Sequence, residues 1–147
     1  MVSRLSRPNV SSRPTVAEVM STALVTAEPM TSVSAAATWM SVHRVGSVLV
    51  LAKGSLTAIF TERDVVRAVS AHVDGAGDAI EDWMTRNPAT ISRRATVDEA
   101  LDVMIAGGFR HLPVVEAETP VGLVSMRDLC RTGALLSCAA DCARRAG

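Results

Sequence analysis

Shifted by 64 residues, the sequence lines up with itself without a gap, Val16 to Arg67 against Ile80 to Arg131. The identical pairs are Met20/Met84, Thr26/Thr90, Val33/Val97, Ala36/Ala100, Met40/Met104, Val50/Val114, Arg63/Arg127, Asp64/Asp128 and Arg67/Arg131. Others keep their character: Val16/Ile80, Ser21/Thr85, Ile59/Leu123, Thr61/Ser125 and Val65/Leu129. A direct repeat of this size restricts the fold severely. Each copy is one supersecondary unit, too small to bury its own apolar face, so the two must bury theirs against each other.

Both copies read alike. Val33, Ala36, Ala37 and Met40 recur at helical spacing, and so do Val97, Ala100, Leu101 and Met104. Thr96-Val-Asp-Glu99 has the spacing of a capping box, and Gly107-Gly108 stops the helix. Two short apolar runs follow in each copy. They are Ser47 to Leu51 and Leu56 to Phe60 around Lys53-Gly54-Ser55, then Leu112 to Val115 and Val121 to Val124 around Glu116 to Pro120. Runs this short suit strands of a buried sheet. A second helix starts near Thr61 and Ser125, and an extended piece at Val25-Thr26 or Ala89-Thr90 precedes the first. The predicted fold is mixed α/β (α+β): two β-α-β-β-α repeats packed by their sheets with pseudo-two-fold symmetry. The expected layout is an N-terminal arm at 1–14, repeats at 15–70 and 80–132 with a linker at 71–79, and a C-terminal helix or tail at 133–147.

Composition narrows the function. Lys+Arg and Asp+Glu stand at 15 each in 147 residues, without the basic excess of a nucleic-acid binder. No apolar run reaches the roughly 18 residues that span a bilayer, and the N-terminus lacks the apolar stretch of a secretory signal. Cys130, Cys138 and Cys142 are an odd, clustered set with no neighbouring His, which argues against a disulfide framework or a metal site. A cytoplasmic location is the expectation. Lys53 is the only lysine among many arginines, a bias expected of a bacterium with a GC-rich genome. No nucleophile triad and no Gly-x-x-x-x-Gly-Lys phosphate loop occurs, so no enzymatic activity is expected.

Two constellations carry chemistry. The strand-to-helix junctions, Thr61-Glu-Arg63-Asp64 and Ser125-Met-Arg127-Asp128, have the Ser/Thr-x-x-Asp spacing of a helix cap. The same geometry suits a ligand: a helix N-terminus attracts anions, a carboxylate one turn in can accept both hydroxyls of a vicinal diol, and Gly122 admits close approach. The second is Arg110-His111 before Leu112-Pro113, two donor groups at the mouth of a buried strand. An arginine fork grips phosphate oxygens in pairs. Gly46-Ser47 stands at the matching place in the first copy.

With Val16-x-x-Val19-Met20, Ile80-x-x-Trp83-Met84, Arg110-His-Leu-Pro-Val-Val115 and Gly122-Leu-Val-Ser-x-x-Asp128 in a direct repeat, the chain resembles the cystathionine-β-synthase (CBS) domain family over roughly Thr15 to Thr132. The resemblance implies a Bateman module, a non-catalytic CBS pair, often dimeric, that binds AMP, ADP, ATP or S-adenosylmethionine between its repeats. It further implies that the motif Asp holds ribose hydroxyls, that Ser or Thr and the Arg/His pair meet ribose or phosphate, and that backbone near the other repeat's first strand reads adenine. Carried over, one site comprises Gly122, Ser125, Arg127 and Asp128 with Arg110 and His111, borrowing backbone at Val25 and Thr26. The other keeps Thr61, Arg63 and Asp64 but has Ala58 for the Gly, Leu49 for the Pro and Gly46-Ser47 for the basic pair, so the Asp128 site is expected to be the stronger. No cofactor is required beyond the nucleotide. A homodimer is expected, because Ala35, Ala36, Trp39 and Met40 would lie partly uncovered, and an unidentified protein would be the regulated partner. A ligand-free dimerisation or protein-interaction scaffold remains the alternative.

Overall fold

The computed structural model describes residues 13–71 and 75–133. The N-terminal arm up to residue 12, the tail from 134 and Cys138 and Cys142 lie outside the described residues. In the first repeat α1 (Val16–Val19) leads to β1 (Thr26–Ala27), α2 (Val33–His43), β2 (Ser47–Ala52), β3 (Ser55–Thr61) and α3 (Glu62–Ala71). After 3-10 turns at Gly75–Gly77 and Ile80–Asp82 the second repeat supplies β4 (Thr85–Arg86), β5 (Ile91–Ser92), α4 (Val97–Gly107), β6 (His111–Glu116), β7 (Thr119–Ser125) and α5 (Met126–Arg131). The order β-α-β-β-α thus occurs twice, as the periodicity predicts.

The helices form where the apolar stripes place them. Val97, Ala100, Leu101 and Met104 are all buried on α4. Its N-terminus carries the capping box: Thr96 accepts from Glu99 N–H, and Glu99 accepts from Thr96 N–H at 2.7 Å. That backbone donor, and then the Thr96 hydroxyl, hold the Glu99 carboxyl below its usual range. Gly108 ends the helix at φ 67°, a left-handed conformation that suits glycine. On α2, Val33, Ala36 and Met40 are buried. The patch expected to lie open is therefore smaller than the spacing suggests: Ala36 and Met40 face the repeat's own core, and Trp39 and Val42 are the exposed apolar residues of this helix.

Each repeat has its own core but borrows its closing piece from the other. The first sheet runs β1-β2-β3-β4 and the second β5-β6-β7. β4 comes from the second repeat yet pairs antiparallel with β3 of the first, Ala58 opposite Arg86 and Ile59 opposite Thr85. The reciprocal piece is Ser21, which exchanges two 2.9 Å backbone hydrogen bonds with Leu123 on β7. The leading helices cross in the same way. Val16 is buried against Val97 and Met104 in the second core, while Ile80 and Met84 are buried in the first with Val33 and Phe60. Truncating a buried isoleucine such as Ile80 to alanine costs about 2–5 kcal/mol, so the exchange is a major tie between the repeats. Val48, Val50, Ala58 and Phe60 face the first core. Strand alternation then turns Ser47, Leu49, Ile59 and Thr61 toward the other repeat, and β3 contacts β7 there.

The loop expected from Glu116 to Pro120 is shorter than predicted. Glu116 and Pro120 both lie in strands, leaving a two-residue turn, Ala117-Glu118, that matches Lys53-Gly54. All four turn residues have positive φ, 52° and 81° in the first hairpin and 46° and 67° in the second. This is the turn whose twist suits a two-residue hairpin, and it favours glycine. Glu118, and Arg44 at φ 56° where the second repeat has Gly108, hold strained positions without it. Glu118→Gly and Arg44→Gly are each expected to raise unfolding free energy by about 0.5–1 kcal/mol. Urea denaturation checks this, and a loss of stability in both would contradict the reading.

Candidate functional site at the cleft between the repeats

The motif at Ser125 forms a complete capping box, and at Thr61 the carboxylate half of one is present. Asp64 Oδ2 accepts from Thr61 N–H and Thr61 Oγ1, both at 2.9 Å. Asp128 Oδ2 accepts from Ser125 N–H at 2.8 Å and Ser125 Oγ at 2.7 Å. The two carboxylates differ in their second oxygen. Asp64 Oδ1 receives Arg67 Nη1 at 2.9 Å and the residue is buried. Asp128 is half-buried, and its Oδ1 accepts no hydrogen bond among the described residues.

A concavity of about 710 Å³ lies between the repeats. The first repeat contributes Thr61, Arg63, Asp64 and Arg67 from the N-terminal turns of α3. The second contributes Pro88 and Ala89 before β5, and Phe109, Arg110 and His111 at the mouth of β6. This regroups the residues singled out in the sequence. Arg110 and His111 line the cleft of Asp64, whereas Ser125, Arg127 and Asp128 do not line it. Their backbones do adjoin the second motif, since Met126 N–H donates to Arg110 O at 2.8 Å and His111 pairs with Ser125. Val25 and Thr26 line a separate concavity of about 540 Å³ with Trp39 and His43. Its residues Ser21, Ala23, Leu24 and Val25 are the 64-residue counterparts of Thr85, Asn87, Pro88 and Ala89 in the large cleft, so it is half of a second, pseudo-symmetric cleft. Gly122 serves the chain itself: a Cβ there would meet Met20 Sδ at 2.4 Å and Ser21 O at 3.2 Å. Its bare backbone admits the exchanged Met20-Ser21 segment.

His111 reaches across to the first repeat. A Cβ on Gly46 would stand 2.9 Å from His111 Nε2, so glycine at 46 is the seat of the imidazole. This explains why the first copy lacks a basic residue there. Burial holds the His111 imidazole below its ordinary range; Glu62 opposes this, Arg110 reinforces it, and Asp128 opposes it more weakly. Gly46, Glu62, Arg67 and Phe109 were not identified from sequence. The retained pair Arg67/Arg131 was the available signal for one of them, while Gly46 carries none until its neighbour across the cleft is known.

The family model described as CBS domain matches residues 16–71 and 80–134. The chain belongs to the CBS-domain family. Among curated relatives, the CBS domain-containing protein YhcV of Bacillus subtilis is 26% identical over 114 residues, covering 78% of this chain and 81% of that protein. The CBS-domain protein ATU1752 of Agrobacterium tumefaciens superposes with a TM-score of 0.74 at 30% identity, covering 80% of this chain and 97% of that one. The CBS domain pair of protein MJ0100, solved in complex with 5′-methylthioadenosine and S-adenosyl-L-methionine, superposes at 0.76 with 26% identity, covering 82% and 95%. Among the described residues no helix of this CBS pair is long and apolar enough to cross a membrane.

A half-buried imidazole whose pKa is held down makes stability pH-dependent with a definite sign. The folded His111 resists a proton that the unfolded chain accepts near its ordinary pKa of about 6.5. Its contribution is complete above that value and is lost as the pH falls below it. Urea midpoints at pH 7.5 and 5.5 should therefore drop more for the wild type than for His111→Gln, and equal drops would remove His111 as the cause.

Proposed function

We propose that this CBS pair is a non-catalytic regulatory module that takes an adenine nucleotide into the cleft of Asp64. The observation that carries the reading is the convergence in one cavity of the Asp64 carboxylate at a helix N-terminus with Arg63, Arg110 and His111. A cavity of about 710 Å³ lies within the range that small ligands occupy. In this reading Asp64 accepts the ribose hydroxyls, Arg110, Arg63 and His111 meet the phosphate, and backbone at Pro88-Ala89 faces the base. The complex of MJ0100 with two adenosine-containing ligands supports the ligand class. The cleft's arginines favour AMP, ADP or ATP over S-adenosylmethionine, which has no phosphate. Asp128, outside the cavity that Arg110 and His111 line, becomes the weaker site, the reverse of the sequence expectation. The protein works in the cytoplasm, where it passes nucleotide occupancy to an effector protein without consuming the nucleotide.

Calorimetric titration with AMP, ATP and S-adenosylmethionine tests this. Removing one charge-assisted contact costs about 1.5–3 kcal/mol, so Asp64→Asn and Arg110→Ala should each weaken AMP binding by about tenfold or more. Asp128→Asn should change it little. A second reading has an observation of its own: both carboxylates already accept from their cap residues without any ligand. A wild type that binds none of the three compounds would favour that ligand-free scaffold.

The module is also proposed to act as a homodimer, with exposed Trp39 and Val42 on α2 in the interface. Trp39→Glu/Val42→Glu should then sediment as a monomer at concentrations where the wild type sediments as a dimer. A monomeric wild type would end this part of the reading.

A further inference from the structure

In the wall of the large cleft Arg67 is held at three points. Its Nη1 donates to Asp64 Oδ1 at 2.9 Å and to Trp83 O at 3.3 Å, and its guanidinium lies 5.9 Å from the centre of the Trp83 ring. Asp64 Oδ2 takes two donors from Thr61 and Oδ1 one from Arg67, and the residue is only 4% exposed. A diol entering the cleft meets a carboxylate already covered. The second repeat provides an internal comparison. Arg131, the counterpart of Arg67, forms no ion pair with Asp128 among the described residues, and Val19 stands where Trp83 does. The clasp belongs to one cleft alone, the cleft that also carries Arg110.

We propose that Arg67 is the selectivity gate of the Asp64 cleft, a proposal that rests on the nucleotide reading above. Oδ1 could take a second donor, but the carboxylate is almost wholly covered, so for a ribose diol to reach Asp64 the Arg67 side chain must swing off Oδ1 and away from the face of Trp83. That release loses a charge-assisted hydrogen bond and a cation–π contact. A neutral nucleoside gives the freed guanidinium nothing in return. A nucleotide gives it an anionic oxygen within the same cavity, and the released arginine adds a positive charge beside Arg63 and Arg110. The side chain is 56% exposed, so it can swing without unpacking the core. The clasp thereby biases the cleft toward phosphate-bearing ligands through the cost of opening and not through shape.

The test compares adenosine with AMP on the full chain, wild type against Arg67→Gln and Arg67→Ala, by calorimetry. Circular dichroism and melting curves establish that the variants are folded. With the gate removed, adenosine should bind about fivefold more tightly, the scale of one partly exposed ion pair. The preference for AMP over adenosine should fall by a larger factor, since the nucleotide also loses a partner. A merely structural Arg67 would move both ligands together and leave that preference unchanged. If the wild type binds AMP but the variants bind adenosine no better, the gate is overturned while the nucleotide site stands. If neither wild type nor variants bind either compound at millimolar concentration, the nucleotide reading falls and the gate with it.

Discussion

The exchange of leading segments between the repeats determines most of what this chain does. Thr85–Arg86 pair with β3 as a strand and Ser21 bonds to Leu123 on β7 as a single bridge, so each sheet is closed by a piece from the other half. Val16 and Ile80 enter the opposite cores in the same step. Without the exchange each sheet would present an unpaired edge and each core would lack a buried aliphatic residue. The exchange also sets the cleft, because it lays the segment from Thr85 to Ala89 alongside α3. Asp64 of one repeat then faces Arg110 of the other through a connection that belongs to neither alone.

Most of the secondary structure is legible in the residues. Stripes at helical spacing locate α2 and α4, and β-branched runs locate the central strands, because these patterns reflect which face each element buries. The caps follow from Ser/Thr-x-x-Asp and Thr-x-x-Glu, where local geometry suffices. The partner of an exposed strand is another matter. Thr85–Arg86 is two exposed polar residues, without period or apolar signal, and its place on β3 is decided by the path of the chain. The Ala117-Glu118 turn escaped for the opposite reason. It adopts positive φ without the glycine that marks such turns, so the loop reads longer than it is.

The site was legible by residue and not by grouping. Both motif carboxylates accept from their cap residues, as the spacing implies, and Arg110-His111 stands at the mouth of β6. Sequence proximity joins that pair to Asp128, and the backbone agrees, with Arg110 O bonded to Met126 N–H. The pair nevertheless lines the opposite cleft. Residues close to a two-fold axis have two sets of neighbours, and the linear sequence displays only one of them.

The contact of His111 with Gly46 has a consequence for how two copies of one unit can diverge. Under the 64-residue relation, the pair 46 and 111 maps onto the pair 110 and 47. The imidazole of His111 as it stands leaves no room for a Cβ at 46; by the same geometry, an imidazole so placed at 47 would crowd a side chain at 110. A duplicated chain that kept histidine in both copies would then crowd its arginine, and one that kept arginine in both would crowd either ring. Residue 47 is instead a small buried serine, its hydroxyl left without a hydrogen-bond partner, and Arg110 survives. Crowding between these positions thus favours one half that donates a ring and one that receives it, in keeping with the difference between the two clefts.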